Sequence, residues 1–283
     1  MLDFQMSYHT GDDWNEWGSA PRKPLVQLDM AHKGEWLDSI IGPDVVTGKL
    51  MVYQVLRCEI CIGIHLWPLP TLPALAEYYR ASFYQCEKPE MVERYERDRE
   101  WWERCVHGPI LQTAQDILAT SGQVFGLRML DIGAGVGIAL DCGKQRGFET
   151  WGLEPHEGLC NALAHRGHQM LRWTLDDVRH GPQLPLFHCL YLYETLEHMV
   201  CPEEALLQCY DMLAPGGVII VVVPNDASPL QYAACAKLGI APYWWSAPQH
   251  IWYNTPKCMQ LLVRRCGFTI KMLRGTFPMD KFL

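Results

Sequence analysis

Leu130-Asp131-Ile132-Gly133-Ala134-Gly135-Val136-Gly137 joins two stretches of different character. Before it, the apolar run Val124 to Leu130 reads as a buried strand. After it, Ile138 to Gln145 has helical character. A strand, a glycine turn and a helix together aim backbone N–H groups at a ligand on the helix N-terminus. Glycine lets such a turn adopt positive φ and lets the backbone approach the ligand closely.

The glycine spacing separates two ligand classes. A dinucleotide turn wants G-x-G-x-x-G, with a small residue last. Here Gly137 comes one residue early and Ile138 holds the sixth position. Asp131 at the start of the turn would repel a pyrophosphate. It suits a cation, and S-adenosylmethionine carries both a sulfonium and an ammonium. Further on, Thr150 to Glu154 reads as a second strand. Its carboxylate stands about 20 residues past the turn, where a doubly wound fold holds ribose hydroxyls. Short strands follow at Gln169 to Trp173, before Asp176 and Asp177, and at Leu186 to Tyr193, before Glu194-Thr195-Leu196-Glu197-His198. A helix from Pro202 to Leu213 ends at Ala214-Pro215-Gly216-Gly217, and the β-branched strand Val218 to Val223 runs into Pro224-Asn225. A helix from Thr255 to Arg265 precedes a last strand, Phe268 to Leu273.

Taken together, LDIGAGVG, Glu154 in GLEP, YETLEHM, LAPGG, VVVPN and RRCGF resemble a class I S-adenosylmethionine-dependent methyltransferase over roughly residues 120 to 275. LEH and PGG resemble the branch with ubiquinone-type and other small-molecule O-methyltransferases. The resemblance implies an α/β fold: a doubly wound, seven-stranded, mostly parallel Rossmann-like sheet whose last strand, Phe268 to Leu273, is antiparallel. It implies S-adenosylmethionine as cofactor, bound by Asp131, Gly133, Gly135, Glu154, Asp176 and Tyr193. Glu154 is expected on the ribose and Asp176 or Asp177 near the adenine.

Length and composition set bounds. At 283 residues the chain exceeds one such domain, so an N-terminal extension is expected. The division is an irregular segment 1–50, a mainly helical leader or lid 51–119, and a cofactor-binding core 120–283. With 49% hydrophobic residues the chain can bury a full core. A net charge of −8 argues against a long nucleic-acid backbone as partner. The longest apolar run, near Gly217 to Pro224, is too short to span a bilayer. The N-terminus lacks the pattern of a signal peptide, so a cytoplasmic location is expected. The twelve cysteines are scattered, as reduced core thiols would be.

Within the leader, Trp101, Trp102, Val106, Ile110 and Ile117 recur at helical spacing. Cys58-Glu59-Ile60-Cys61, followed by Pro68, Pro70, Tyr78 and Tyr79, resembles a zinc-ribbon-like leader. Ile62 stands where that pattern has glycine, and no second C-x-x-C precedes it. A structural zinc needs four ligands. His32 and His65 are the candidates to complete a set, and spacing alone does not fix them. The expectation is therefore a degenerate ribbon or lid, with no metal assigned.

Glu194, Glu197 and His198 have the i, i+3, i+4 spacing that shares one helical face. They follow the fourth strand, at the sheet edge where ligands of open α/β folds bind. His198 is the expected catalytic residue, a general base whose ordinary pKa suits neutral pH. Two other readings stay open: a divalent ion held with His250, and a packing element with no chemistry. The sulfonium already makes the methyl electrophilic, so no nucleophile triad is needed. Tyr232, Tyr243, Trp244, Trp245 and Trp252 are the candidate walls of an acceptor pocket, or else core packing. The acceptor is expected to be a small molecule or glycan, methylated on a hydroxyl. The alternatives are a metal-assisted RNA 2′-O-methyltransferase and a non-catalytic binding module. No D-P-P-Y strand end or Pro-Cys loop of the nucleobase enzymes is present.

Overall fold

A computed structural model describes residues 25–27, 32–61, 63–226 and 228–275. Residues 1–24 and 28–31 of the expected irregular segment lie outside this range, as do Ile62 in the C-x-x-C leader and residues 276–283 of the expected core. Two five-stranded sheets organise the described chain.

The first sheet is antiparallel and contains β1 (Leu25–Gln27), β2 (Lys33–Pro43), β3 (Leu50–Cys58), β4 (Gly63–Trp67) and β10 (Trp252–Tyr253), in that order. Strands thus occupy 33–43, 50–58 and 63–67, where the sequence suggested irregular and then helical chain. The pattern misleads for a physical reason. Glu35 and Arg57 sit directly opposite each other and pair at 2.5 Å, so strand positions carry charge. The register also slips between Trp36 and Asp38, which breaks the alternation that marks a strand. Tyr53, Val55, Ile64, Leu66, Trp244 and Tyr253 build the core of this layer. The leader becomes helical after β4: α1 (Leu72–Glu77), a π-helical stretch Tyr78–Glu87, α2 (Pro89–Arg97), α3 (Arg99–Trp102), a second π turn Glu103–His107 and α4 (Gly108–Thr120).

The second sheet holds β5 (Arg128–Ile132), β6 (Glu149–Leu153), β7 (Gln169–Leu171), β8 (Phe187–Tyr193) and β9 (Leu213–Val222), all parallel, in the order β7-β6-β5-β8-β9. Between them run α5 (Ile138–Gln145), α6 (Glu157–His165), α7 (Leu175–Val178) and α8 (Pro202–Met212), and α9 (Pro229–Leu238) and α10 (Pro256–Arg265) follow. One face is sealed by Leu206, Cys209 and Met212 of α8 on Leu130, Leu190 and Leu192. The other is sealed by Leu111 and Leu118 of α4 and by Ile138 of α5 on Met129 and Tyr191. The doubly wound α/β architecture is as expected, but the strand count differs. Phe268 to Leu273 is not a strand. Phe268 packs on Tyr210, with rings 5.3 Å apart, while Lys271 to Leu273 are exposed, so this segment has no alternating buried face to lay on the sheet. Residues Ala214 to Gly217 are looped out of the ladder between Leu213 and Val218, which is the glycine turn the sequence announces.

The strand order reverses between β5 and β8. The crevice beyond their C-terminal ends is therefore the ligand position of this architecture. None of the described helices is long and apolar enough to cross a membrane.

Candidate active site

Asp131 and Ile132 end β5, and the chain turns through Gly133 (φ 79°), Gly135 (φ 53°) and Gly137 (φ 76°) into α5. At Gly133 the requirement is double. Its φ lies in the left-handed region, and a Cβ there would sit 2.9 Å from Thr195 Oγ1. Thr195 closes the other side of the crevice. Its hydroxyl lies 3.0 Å from the Ile132 carbonyl and 3.1 Å from the Tyr193 carbonyl, and so ties the end of β8 to that of β5. Between them Glu194 adopts φ 50°, an unusual conformation for a residue with a side chain. Its N–H donates to the Val222 carbonyl at 2.9 Å, which holds the bend in place. Strain of this kind gathers at ligand sites.

Two carboxylates converge below the glycine turn. Glu154 follows β6 and is 2% exposed. Its oxygens accept from the Gly135 and His156 N–H groups, each at 2.8 Å. Burial pushes its pKa up to about 7, against the pull of those two donors. Asp131, also buried, is pushed up to about 8 by burial, with the charge of Glu154 adding to the rise. Two buried acids held above their usual range are a receptor for a cation and for hydroxyl donors. Tyr84, from the π-helical leader, closes over this pair. A Cβ on Gly135 would lie 3.4 Å from its hydroxyl, and its ring meets His156 edge-on at 5.4 Å.

Asp176 and Asp177 lie in the first turn of α7. Asp177 is committed to structure: it accepts from the Thr174 N–H and hydroxyl at 2.7 and 2.8 Å and pairs with Arg80 at 2.8 Å. Asp176 is the member of the pair outside that network. Tyr193 closes β8 and packs on His107, with rings 4.8 Å apart.

A second cluster sits beyond β8. Leu196–His198 forms a single 3₁₀ turn that buries Glu197 completely. His198 Nδ1 lies 2.5 Å from the Gln249 carbonyl and 2.9 Å from the Tyr79 hydroxyl. The short carbonyl contact places the proton on Nδ1 and leaves a lone pair on Nε2. Burial lowers the His198 pKa to about 3, with His250 contributing, so the ring is neutral. The rings of His198 and His250 lie 5.0 Å apart. Glu197 Oε1 is 3.9 Å from His198 Nε2. His250 Nδ1 is 3.4 Å from Asp226 Oδ2, an ion-pair distance without hydrogen-bond alignment. Among the described residues neither oxygen of Glu197 has a hydrogen-bond partner, and its pKa is raised well above the usual carboxylate value by burial.

The family described as a methyltransferase domain matches residues 85–272. The chain belongs to this methyltransferase family. Its cofactor is S-adenosylmethionine, and it is an enzyme of methyl transfer. A ubiquinone biosynthesis O-methyltransferase of Maricaulis maris is 29% identical over 208 residues, which are 65% of this chain and 81% of that protein. One from a Caulobacter species is 32% identical over 136 residues, 45% of this chain and 52% of that protein. The methyltransferase thus spans most of the first relative and about half of the second. In structure it resembles the plantazolicin methyltransferase BamL, solved with a desmethyl analogue and S-adenosylhomocysteine. The TM-score is 0.51 at 14% identity, over 68% of this chain and 70% of that one.

The cofactor's charges fit the residues present. An ammonium or sulfonium satisfies acids that burial otherwise drives toward their neutral forms. Of the residues singled out in the sequence, Gly135 and Glu154 are in direct hydrogen-bond contact, and Asp131 is within the electrostatic reach of Glu154. Gly133 is brought against Thr195. Most of the aromatic segment packs: Tyr232 lies against the core of the first sheet, while Tyr243 is exposed. Trp244, Trp245 and Tyr253 are core of the first sheet, and Trp252 Nε1 donates to the Val200 carbonyl at 3.3 Å. Three contributors escaped the sequence reading: Tyr84 over the glycine turn, Gln249 on His198 and Asp226 beside His250. Tyr79 was visible only as half of a Tyr-Tyr pair. Asp226 directly follows the VVVPN strand end, the one local signal that pointed toward it.

Proposed function

We propose that the methyltransferase moves the S-adenosylmethionine methyl to a hydroxyl of a small-molecule or glycan acceptor seated beside His198. The observation that carries this is the position of the neutral His198 ring. It sits just past β8 at the switch-point crevice, with Nδ1 anchored on Gln249 and Nε2 carrying a lone pair. The cofactor supplies an electrophilic methyl. The protein orients the acceptor in line with it. The His198 pKa is lowered to about 3, rather than the ordinary value expected from the sequence. His198 therefore accepts the hydroxyl's hydrogen bond and takes its proton only as methyl transfer makes that oxygen strongly acidic. Asp131 and Glu154 hold the cofactor's charged and hydroxyl groups, and Asp176 and Tyr193 complete its rim. The similarity to proteins named O-methyltransferases supports oxygen as the accepting atom.

A second reading of the same cluster is favoured by the unpaired Glu197 carboxylate. Glu197, His198 and His250 offer ligand atoms that all lie within 4.8 Å of one another, and Asp226 stands next to His250. These residues suit a divalent cation. The ion would draw an acceptor hydroxyl toward its ionised form.

The test is a panel of catechols, phenols, sugars and aliphatic alcohols incubated with S-adenosylmethionine, with products read by mass spectrometry. The expected outcome is a product heavier by one methylene and linked through oxygen. Transfer confined to amines, or to oligoribonucleotide ends, would overturn the acceptor assignment.

A further inference from the structure

We infer that His32, Cys58, Cys61 and His65 bind one zinc ion at the head of the antiparallel sheet. This inference is independent of the acceptor reading above, because the four residues lie outside the methyl-transfer crevice.

The topology assembles them. Cys58 ends β3, Cys61 sits in the tight turn that follows, and His65 is the third residue of β4. His32 immediately precedes β2, whose Gly34 is in register with Cys58. A set separated in sequence by 33 residues thus meets at one end of one sheet. The four ligand atoms, two sulfurs and two ring nitrogens, all lie within 4.8 Å of one another.

The spacings are those of a tetrahedral centre. With Zn–N of about 2.05 Å and Zn–S of about 2.3 Å, a tetrahedron separates two nitrogens by about 3.3 Å and a nitrogen from a sulfur by about 3.6 Å. His32 Nδ1 and His65 Nε2 are 3.2 Å apart, and His32 Nδ1 and Cys61 Sγ are 3.5 Å apart. The surroundings are also those of a metal site. His65 Nδ1 donates to the Leu66 carbonyl at 2.7 Å, which fixes the tautomer whose Nε2 lone pair faces the cluster. The Cys61 N–H donates to Cys58 Sγ at 3.4 Å, the turn that lets both sulfurs point the same way. His65 and Cys58 are essentially inaccessible, at 0% and 2% exposure. Trp67 covers His32 at 4.8 Å and Trp252 covers His65 at 4.9 Å. All four positions are filled by protein, with the N₂S₂ donor set that selects zinc, so the site is structural and closed.

Its task follows from its place. The ion pins the entry of β2 to the β3–β4 turn, and β4 pairs with β10 through His65 and Trp252. The next residue back, Ile251, donates to the Glu197 carbonyl at 2.9 Å. The zinc cluster therefore braces β10, the strand that begins two residues after His250.

The experiment uses the full, untagged chain purified without chelator. Elemental analysis is expected to find about one zinc per chain. The cobalt-loaded chain is expected to show tetrahedral d–d bands with a thiolate-to-cobalt absorption, which falls to roughly half in Cys61→Ser. The Cys58→Ser/Cys61→Ser double variant is expected to retain less than about a tenth of the metal. Cys61→His keeps a ligand and is expected to keep the zinc, which serves if the serine variants fail to fold. His250→Ala is expected to leave zinc content unchanged. Folded wild-type chain that takes up no zinc from zinc sulfate would overturn the inference. So would metal that survives loss of both cysteines but not of His250, or a metal-free chain lighter by two hydrogens from a Cys58–Cys61 disulfide.

Discussion

Glu154→Ala is expected to weaken S-adenosylhomocysteine binding by about 1–3 kcal/mol, roughly 5- to 150-fold in Kd, by calorimetry. The substitution removes a buried carboxylate and orphans the Gly135 and His156 N–H groups it now satisfies. Glu154→Gln keeps the volume and one acceptor, so its loss is expected to be smaller. Binding should also release protons. In the free chain burial holds Asp131 at about 8 and Glu154 at about 7, so both are partly protonated near neutrality. A cationic ligand favours the ionised forms and lowers both pKa values. Affinity for S-adenosylmethionine should therefore rise with pH up to about 8 and fall below about 7, by at most about tenfold per unit for each group. The slope should be shallower for S-adenosylhomocysteine, which lacks the sulfonium. Titration in two buffers of different ionisation enthalpy reads the released protons directly. Wild-type affinity in Glu154→Ala, or a Kd independent of pH, would remove these acids from the cofactor's contacts.

That pair was legible in the sequence because its geometry is local. A carboxylate at a strand end is placed by the strand, and LDIGAGVG fixes the turn above it through backbone conformation alone. The doubly wound core was legible for the same reason, as short apolar runs punctuated by glycine and polar caps, although Val124 and Phe125, read into the first strand, are exposed and β5 is Arg128–Ile132. The last strand was not: among the described residues Phe268 to Leu273 pair with no strand, Phe268 turns onto Tyr210 and Lys271 to Leu273 are exposed. The antiparallel sheet was hidden by its own chemistry. Its strands carry a cross-strand ion pair and a bulge, and their burial depends on Trp244 and Tyr253, far along the chain. Cys58 and Cys61 announced themselves by spacing. His32 and His65 join them only once β2, β3 and β4 are paired, which no linear pattern displays. Tyr84 was hidden in the same way, since it reaches Gly135 only through the fold of the leader.

His198→Ala is expected to lower kcat by about 10²- to 10⁴-fold while S-adenosylhomocysteine affinity stays near wild type. The side chain clusters with Glu197 and His250 rather than with Asp131 and Glu154, so its removal should leave cofactor binding largely intact. Three outcomes separate its roles. If His198 receives the acceptor proton, activity survives EDTA, and Glu197→Gln, which keeps the shape of the buried group, falls far less than His198→Ala. If a divalent ion is held there, EDTA abolishes turnover and Mg²⁺ or Mn²⁺ restores it. Glu197→Gln and His250→Ala then fall with His198→Ala, because a ligand set fails as a unit. If the turn only packs, His198→Ala lowers the melting temperature and keeps its turnover per folded molecule. Tyr79→Phe adds a finer test, since it deletes one hydroxyl 2.9 Å from Nδ1 and leaves the Gln249 contact in place. A modest loss in Tyr79→Phe beside a large one in His198→Ala places the chemistry on the imidazole. Equal losses would mean that the Tyr79–His198 contact, bridging the leader helix to the core, is what catalysis requires.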